Sequence, residues 1–196
     1  MAYMEADQEL ARLARKAAGM RGGPRVLVLP GIMGSSIGRL RKDGGADATW
    51  FDPLEIAQGQ LVKLALPRGG RYHALDALRF AYERLRLTLR IAGFDAVYHP
   101  YDWRRSLDWN GRELAARLER ERRKDVILVG HSMGGLIARA ALAHKGGSRI
   151  GRVIQLGTPN RGAFVAVQAL RGTYSLVRRL ALLDLTHDAE ELAQKV

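Results

Sequence analysis

The sequence contains no cysteine. That excludes a disulfide framework, a thiol nucleophile and a thiolate metal site. It also lacks any apolar run approaching the roughly 20 residues of a membrane-spanning helix. The opening residues, Met1-Ala-Tyr-Met-Glu-Ala-Asp-Gln-Glu9, are acidic without an apolar centre, so nothing there reads as a secretory signal. These absences make the cytoplasm the default expectation, with peripheral association at a membrane left open. Aromatics are few, at 7%, and do not interleave with basic residues, so no nucleic-acid stacking platform is expected. Acidic residues are outnumbered 20 to 32 by basic ones, giving a formal charge of +12. Only six of the bases are Lys, and the one dense cluster runs from Arg117 to Lys124. Attraction to an anionic partner, either lipid head groups or nucleic acid, is one reading of that charge. A solvated surface in an Arg-biased composition is the other, and it is preferred.

What remains is globular. With 47% hydrophobic and 27% charged residues over 196 positions, one domain with its own core is expected. The stretch that organises it is Asp125-Val-Ile-Leu-Val-Gly-His-Ser-Met-Gly-Gly-Leu-Ile-Ala-Arg139. Val126 to Val129 is short, apolar and without alternation, as in a strand buried on both faces of a parallel sheet. Gly135 to Ala143 reads as a helix, with Gly146-Gly147 as its C-terminal cap. Between them Gly130-His-Ser-Met-Gly134 supplies the Gly-x-Ser-x-Gly turn. Strand, sharp turn and helix are the context of a nucleophile elbow, with Ser132 as nucleophile. The helix N-terminus just after the serine offers backbone N–H groups to an oxyanion.

Other elements fall around it. Glu5 to Ala18 reads as an amphipathic helix, and Val26 to Leu29 as a second buried strand. Pro30-Gly-Ile-Met-Gly-Ser-Ser36 is a Gly-rich loop at that strand's carboxyl end, where open α/β sheets bind ligands. Arg39 to Ala48 reads as a polar surface loop. Trp50-Phe51-Asp52-Pro53 and the apolar stretch to Leu66 are either a lid or core. Asp76 to Ala92 reads as a helix, with Leu75, Leu78, Tyr82, Leu85 and Leu89 on one stripe. Asp95 to His99 is a third strand, followed by Tyr101-Asp-Trp-Arg104. Asn110 is expected to cap a helix from Gly111 to Arg123. Ile150 to Leu156 is a fourth strand, closed by Gly157-Thr-Pro-Asn-Arg-Gly162, and Phe164 to Leu185 reads as one or two helices. This alternation implies an α/β fold, a mainly parallel sheet with helices on both faces.

Four motifs then stand in order: Pro30-Gly-Ile-Met-Gly-Ser35, Tyr101-Asp-Trp-Arg104, Gly130-His-Ser-Met-Gly-Gly135 and Leu156-Gly-Thr-Pro-Asn-Arg-Gly162. Together they resemble the lecithin:cholesterol acyltransferase-like family of α/β-hydrolases over about residues 26 to 190. The resemblance implies Ser132 as nucleophile and the backbone N–H groups of Ile32 and Met133 as oxyanion hole. It implies that Gly31, Tyr101, Asp102, Trp103, Arg104, Thr158 and Pro159 shape the site. Trp50 falls where the family carries a Trp-containing insert, so 40–70 is expected to be lid-like and 160–196 to be cap helices. No metal and no other cofactor is implied. The partner is a lipid ester, met in solution or at a lipid surface. The reaction is acyl transfer through an acyl-serine to a hydroxyl or to water. A triacylglycerol lipase or general carboxylesterase is the alternative, and a non-catalytic binding module with the same fold is another.

The family's acid and base follow the serine, on loops after two further strands. Here only Asp184, Asp188, Glu190, Glu191 and His187 follow it outside the elbow helix. His131 sits in the elbow, His144 is expected about three turns down the next helix, and His73 and His99 precede the serine. The expectation is therefore that the acid and base lie beyond Val196 and that the sheet is incomplete at one edge.

Overall fold

Four short strands with continuous apolar runs assemble into one parallel sheet. The computed structural model describes residues 2–66, 71–171, 173–187 and 191. The strands are β1 (Arg25–Leu29), β5 (Asp95–Tyr98), β6 (Val126–His131) and β7 (Ile150–Leu156), in the order β5-β1-β6-β7. From Val26 to Leu29 every residue of β1 is buried, because both faces of the sheet are covered. On one face Leu27, Leu29 and Leu128 pack with Leu114 and Leu118 of α4 (Leu107–Arg120) and Ile137 of α5 (Met133–Ala141). On the other, Val26, Val28 and Ala96 pack with Tyr82 of α3 (Arg79–Ile91), and α1 (Ala2–Ala18) lies against α3. Burying each such leucine is worth roughly 1.5–3 kcal/mol.

The helix placement follows from the strand order. The chain leaves β1 toward β5 through α3, then returns past β1 to β6 through α4 and on to β7 through α5. Right-handed crossovers running in opposite directions must use opposite faces. The direction reverses between β1 and β6, and ligands of open α/β sheets bind beyond the carboxyl ends at such a point. The register pairs Leu29 with Gly130, so the loops after these two strands start side by side.

The described residues cluster into two compact units, Met1–Gly34 with Ala77–Thr158, and Ser35–Asp76 with Pro159–Val196. The second holds a three-stranded sheet of order β3-β2-β4, from β2 (Ser35–Leu40), β3 (Ala46–Trp50) and β4 (His73–Ala77). This corrects the polar loop expected at Arg39 to Ala48, most of which is the β2–β3 hairpin. Its turn is closed by Arg41 N–H to the Gly45 carbonyl at 2.8 Å. Asp52 caps the short α2 (Pro53–Ala57) by accepting from the N–H groups of Leu54 and Glu55. Ile37, Trp50, Ile56, Leu61 and Leu64 are buried in this unit. Residues 164–183 form α6 (Phe164–Leu170) and α7 (Ser175–Leu183), and Leu185 N–H bonds the Ala57 carbonyl. Asp188 and Glu190 lie outside the described residues.

Three boundaries differ from expectation. The helix read from Asp76 begins at Arg79, since Leu75 and Asp76 belong to β4. Helix α4 begins four residues before Gly111, capped by the Ser106 hydroxyl accepting from Trp109 N–H. Asn110 is buried inside it, donating to the carbonyl of Asp102 at 2.9 Å. Helix α5 runs from Met133 only to Ala141, so His144 lies outside it and Gly146-Gly147 are the buried residues of a 3₁₀ turn, Lys145–Arg149.

Among the described residues β7 is an outer strand, paired only with β6. It leaves Ile154 and Leu156 exposed. An exposed apolar edge is a template for pairing with another chain. Repulsion between chains of charge +12 opposes this, within a Debye length of about 10 Å at 0.1 M salt. Light scattering is expected to show monomers at low salt and association as salt rises. A monomer at every salt concentration would show that this edge is not adhesive.

Candidate active site

The elbow forms at the carboxyl end of β6. The strand ends at His131 and α5 begins at Met133, so Ser132 alone makes the turn. Its backbone sits at φ 50° and ψ −120°, a region that costs a non-glycine residue on the order of 1–3 kcal/mol. Close packing explains the flanking glycines. A Cβ on Gly130 would lie 2.5 Å from Gly135 N, and one on Gly134 would lie 2.4 Å from the Pro30 carbonyl oxygen. Ser132 N–H donates to the Leu156 carbonyl at 2.8 Å, tying the elbow to β7. Met133 opens α5, and its N–H belongs to the first turn, which has no intrahelical acceptor.

The loop after β1 lies against this turn. A Cβ on Gly31 would stand 3.3 Å from Ser132 Cβ. Gly31 to Gly34 form a tight turn closed by Gly34 N–H to the Gly31 carbonyl at 3.0 Å, with Met33 at φ 59°. Ile32 occupies the turn with its side chain exposed. Two tyrosine hydroxyls fix the loop. Tyr101 O–H donates to the Pro30 carbonyl at 2.8 Å, and Tyr82 oxygen accepts from Gly31 N–H at 2.8 Å. Having accepted there, Tyr82 has its own proton for His131 Nδ1, 3.0 Å away. Burial pushes both phenols above their ordinary range, so both remain protonated donors. Tyr82 thus links the Gly31 loop to the residue preceding Ser132. Sequence reasoning placed Tyr82 on an apolar stripe and missed this role. No sequence signal marks it.

The remaining expected residues divide between the units. Asp102 and Arg104 form a buried two-pronged pair, Arg104 Nε to Oδ1 and Nη2 to Oδ2, each 2.7 Å. Trp103 packs partly buried against the α4–α5 core. Thr158 adjoins Gly135, and its hydroxyl is buried without a hydrogen-bond partner among the described residues. Pro159 and Trp50 belong to the second unit, where Trp50 is buried with its ring 5.2 Å edge-on from Phe51.

The histidines of the first unit are engaged elsewhere. His99 is buried beside Arg117, and burial first, then that guanidinium, lowers its pKa to about 3. His131 receives Tyr82, and His144 Nε2 lies 3.5 Å from Asp108. In the second unit His187 Nδ1 lies 3.1 Å from Asp184 Oδ2. Asp184 Oδ1 accepts from Thr186 N–H, the Thr186 hydroxyl and His187 N–H. Burial opposes the Asp184 charge, but these bonds outweigh it and hold its carboxyl below the ordinary range. Sequence reasoning named Asp184 and His187 among the residues that follow the serine but did not pair them. Among the described residues no cluster of three or more His, Asp or Glu can hold a metal ion. No described helix is long and apolar enough to cross a membrane.

A helix-flanked parallel sheet carrying a strained serine at the strand-to-helix turn beside its switch point defines an α/β-hydrolase-like fold. Residues 100–194, just under half of the chain, match the family model described as PGAP1-like alpha/beta domain. Two solved structures of Bacillus licheniformis lipase BlEst2 are similar. The mature form is 24% identical, with 85% of this chain and 52% of that one covered and a TM-score of 0.45. The propeptide form is 22% identical, with 83% and 30% covered and a TM-score of 0.44. The chain thus spans about half the length of the mature lipase. It matches none of the curated proteins.

Proposed function

We propose that the chain carries the nucleophile of a serine-dependent enzyme acting on lipid esters. The observation that carries this reading is Ser132 at φ 50°, ψ −120°, alone between β6 and α5 and against the Gly31 loop. Its Oγ attacks the ester carbonyl, the C–O bond to the alcohol breaks, and the alcohol leaves with the serine's proton. Backbone N–H groups of Ile32 and Met133 hold the oxyanion. The acyl-serine then passes its acyl group to a hydroxyl or to water. The family match and the motif resemblance to lecithin:cholesterol acyltransferase-like proteins support this chemistry class. Tyr101 to Arg104 and Thr158 shape the substrate side, and a lipid surface presents the donor.

With the first unit's histidines engaged, turnover by this chain is expected to be slow, since general acid–base help is typically worth about 10²–10⁴-fold. The test is product analysis with a long-chain phospholipid and a long-chain alcohol as acceptor. Free fatty acid and the new fatty ester are both expected, and both are lost in Ser132→Ala. Fatty acid alone would leave the lipase or carboxylesterase alternative. Product formation unchanged in Ser132→Ala would overturn the proposal.

A further inference from the structure

The far end of the parallel sheet carries an open cavity of about 430 Å³, lined by Arg25, Arg117, Arg120, Glu121, Arg122 and Arg123. It lies where β1 and β6 begin, whereas Ser132 lies where β6 ends. Six residues at about 3.3 Å each put on the order of 20 Å between them. The charges around it do not balance. Asp95 is shared by Arg25 and Arg123, and Glu121 Oε2 lies 3.2 Å from Arg25 Nε. That Nε is nevertheless buried without a hydrogen-bond partner among the described residues.

Arg117 makes no direct ion pair among the described residues. It donates to the Tyr98 carbonyl at 3.0 Å and to His99 Nδ1 at 2.9 Å, both neutral. Burial and then the nearby Arg25 charge press its pKa downward, and the pull of Glu121 in the other direction only partly offsets them. Arg120 and Arg122 are exposed, and neither has an ion-pair partner among the described residues. The helix dipole accounts for Arg117 and Arg120 in the last turn of α4, but not for Arg25, Arg122 or Arg123.

We propose that this cavity binds a phosphate monoester, either as a lipid head group or as a free phosphate compound. Five guanidiniums against two carboxylates demand an anion. Planar forks converging from two strands' starting ends and a helix end suit a tetrahedral group that accepts from several directions. The volume exceeds a bare ion and falls in the range of small-molecule sites.

The test uses the whole chain with two probes: inorganic pyrophosphate by calorimetry, and phosphatidylcholine vesicles with or without phosphatidic acid by co-sedimentation. Arg120→Glu with Arg122→Glu is the site variant. Arg12→Glu with Lys16→Glu, on α1, removes the same formal charge from an exposed surface elsewhere. The expected result is binding weakened at least about thirtyfold in the site variant, the value for losing two surface arginines near anionic lipid before the added negative charge is counted, with the α1 variant unchanged. Vesicle binding displaced by pyrophosphate assigns the site to a lipid head group. Pyrophosphate binding without vesicle binding assigns it to a free phosphate compound. Equal loss in both variants would overturn the proposal, leaving only diffuse attraction to the net charge. Binding of neither probe would overturn it as well.

Discussion

Asp102→Ala is expected to destabilise the fold by about 3–5 kcal/mol, the cost of stranding one partner of a buried ion pair. The carboxylate and the Arg104 guanidinium are both almost wholly buried, at 8% and 5% side-chain exposure. Asp102 accepts both prongs of the fork and also the Arg104 N–H at 3.2 Å. The second guanidinium, on Arg105, stands 3.7 Å away and lies over the Trp109 ring, so removing the carboxylate takes its countercharge from two cations at once. The desolvation that opposes a buried pair works in the other direction when both charges go together. Asp102→Leu with Arg104→Met is therefore expected to be far less destabilised than Asp102→Ala alone. Urea denaturation of the three proteins checks this. A single variant within 1 kcal/mol of the parent, or a double variant worse than the single, would show that the pair does not hold the loop after β5.

Tyr82→Phe is expected to have the second largest effect, and its effect reaches the candidate chemistry. The substitution leaves the ring and removes one oxygen. Gly31 N–H then has no acceptor in a buried place, at a cost of about 1–3 kcal/mol. His131 Nδ1 loses its donor at the same time. Of the two tyrosine hydroxyls that fix the loop carrying Ile32, only Tyr101 then remains. Phosphonylation of Ser132 by a fluorophosphonate is expected to slow about tenfold, the effect of about 1.4 kcal/mol on a barrier. A purely structural role predicts lower stability with an unchanged labelling rate at temperatures where the variant is folded. That result would remove Tyr82 from the positioning of the site.

The four parallel strands were legible because their chemistry is local. Continuous β-branched runs such as Val126 to Val129 fit only a sheet covered on both faces. The elbow was legible because it needs two glycines at fixed distances from one serine. The second unit's sheet was not. Ser35 to Leu40 presents only Ile37 and Leu40 as apolar residues, and Ala46 to Trp50 is mostly small or polar. The hairpin is marked chiefly by Asp43-Gly44, a turn signal that polar flanks conceal. Strand β4 was absorbed into the next helix because Leu75 falls in phase with Leu78, Tyr82, Leu85 and Leu89.

The same limit applied to caps and partners. Ser106 and Asn110 are equally good caps by residue type, and only the structure shows Asn110 buried inside α4. Gly146 and Gly147 resemble a helix terminator in sequence. In the structure they permit close approach, since a Cβ on Gly146 would lie 2.0 Å from the Ala115 carbonyl oxygen. A pattern gives the face a side chain occupies, but not what its polar end meets. Tyr82, Arg117 and the pair of Asp184 with His187 all depend on the latter.

The central claim is that Ser132 is the residue that takes up an acyl group. Its most direct test is treatment of the intact protein with a fluorophosphonate, then peptide mass spectrometry. The account predicts one added phosphonyl group on Ser132, and none in Ser132→Ala. A label on Ser35 or Ser36, or one that persists in Ser132→Ala, would contradict it.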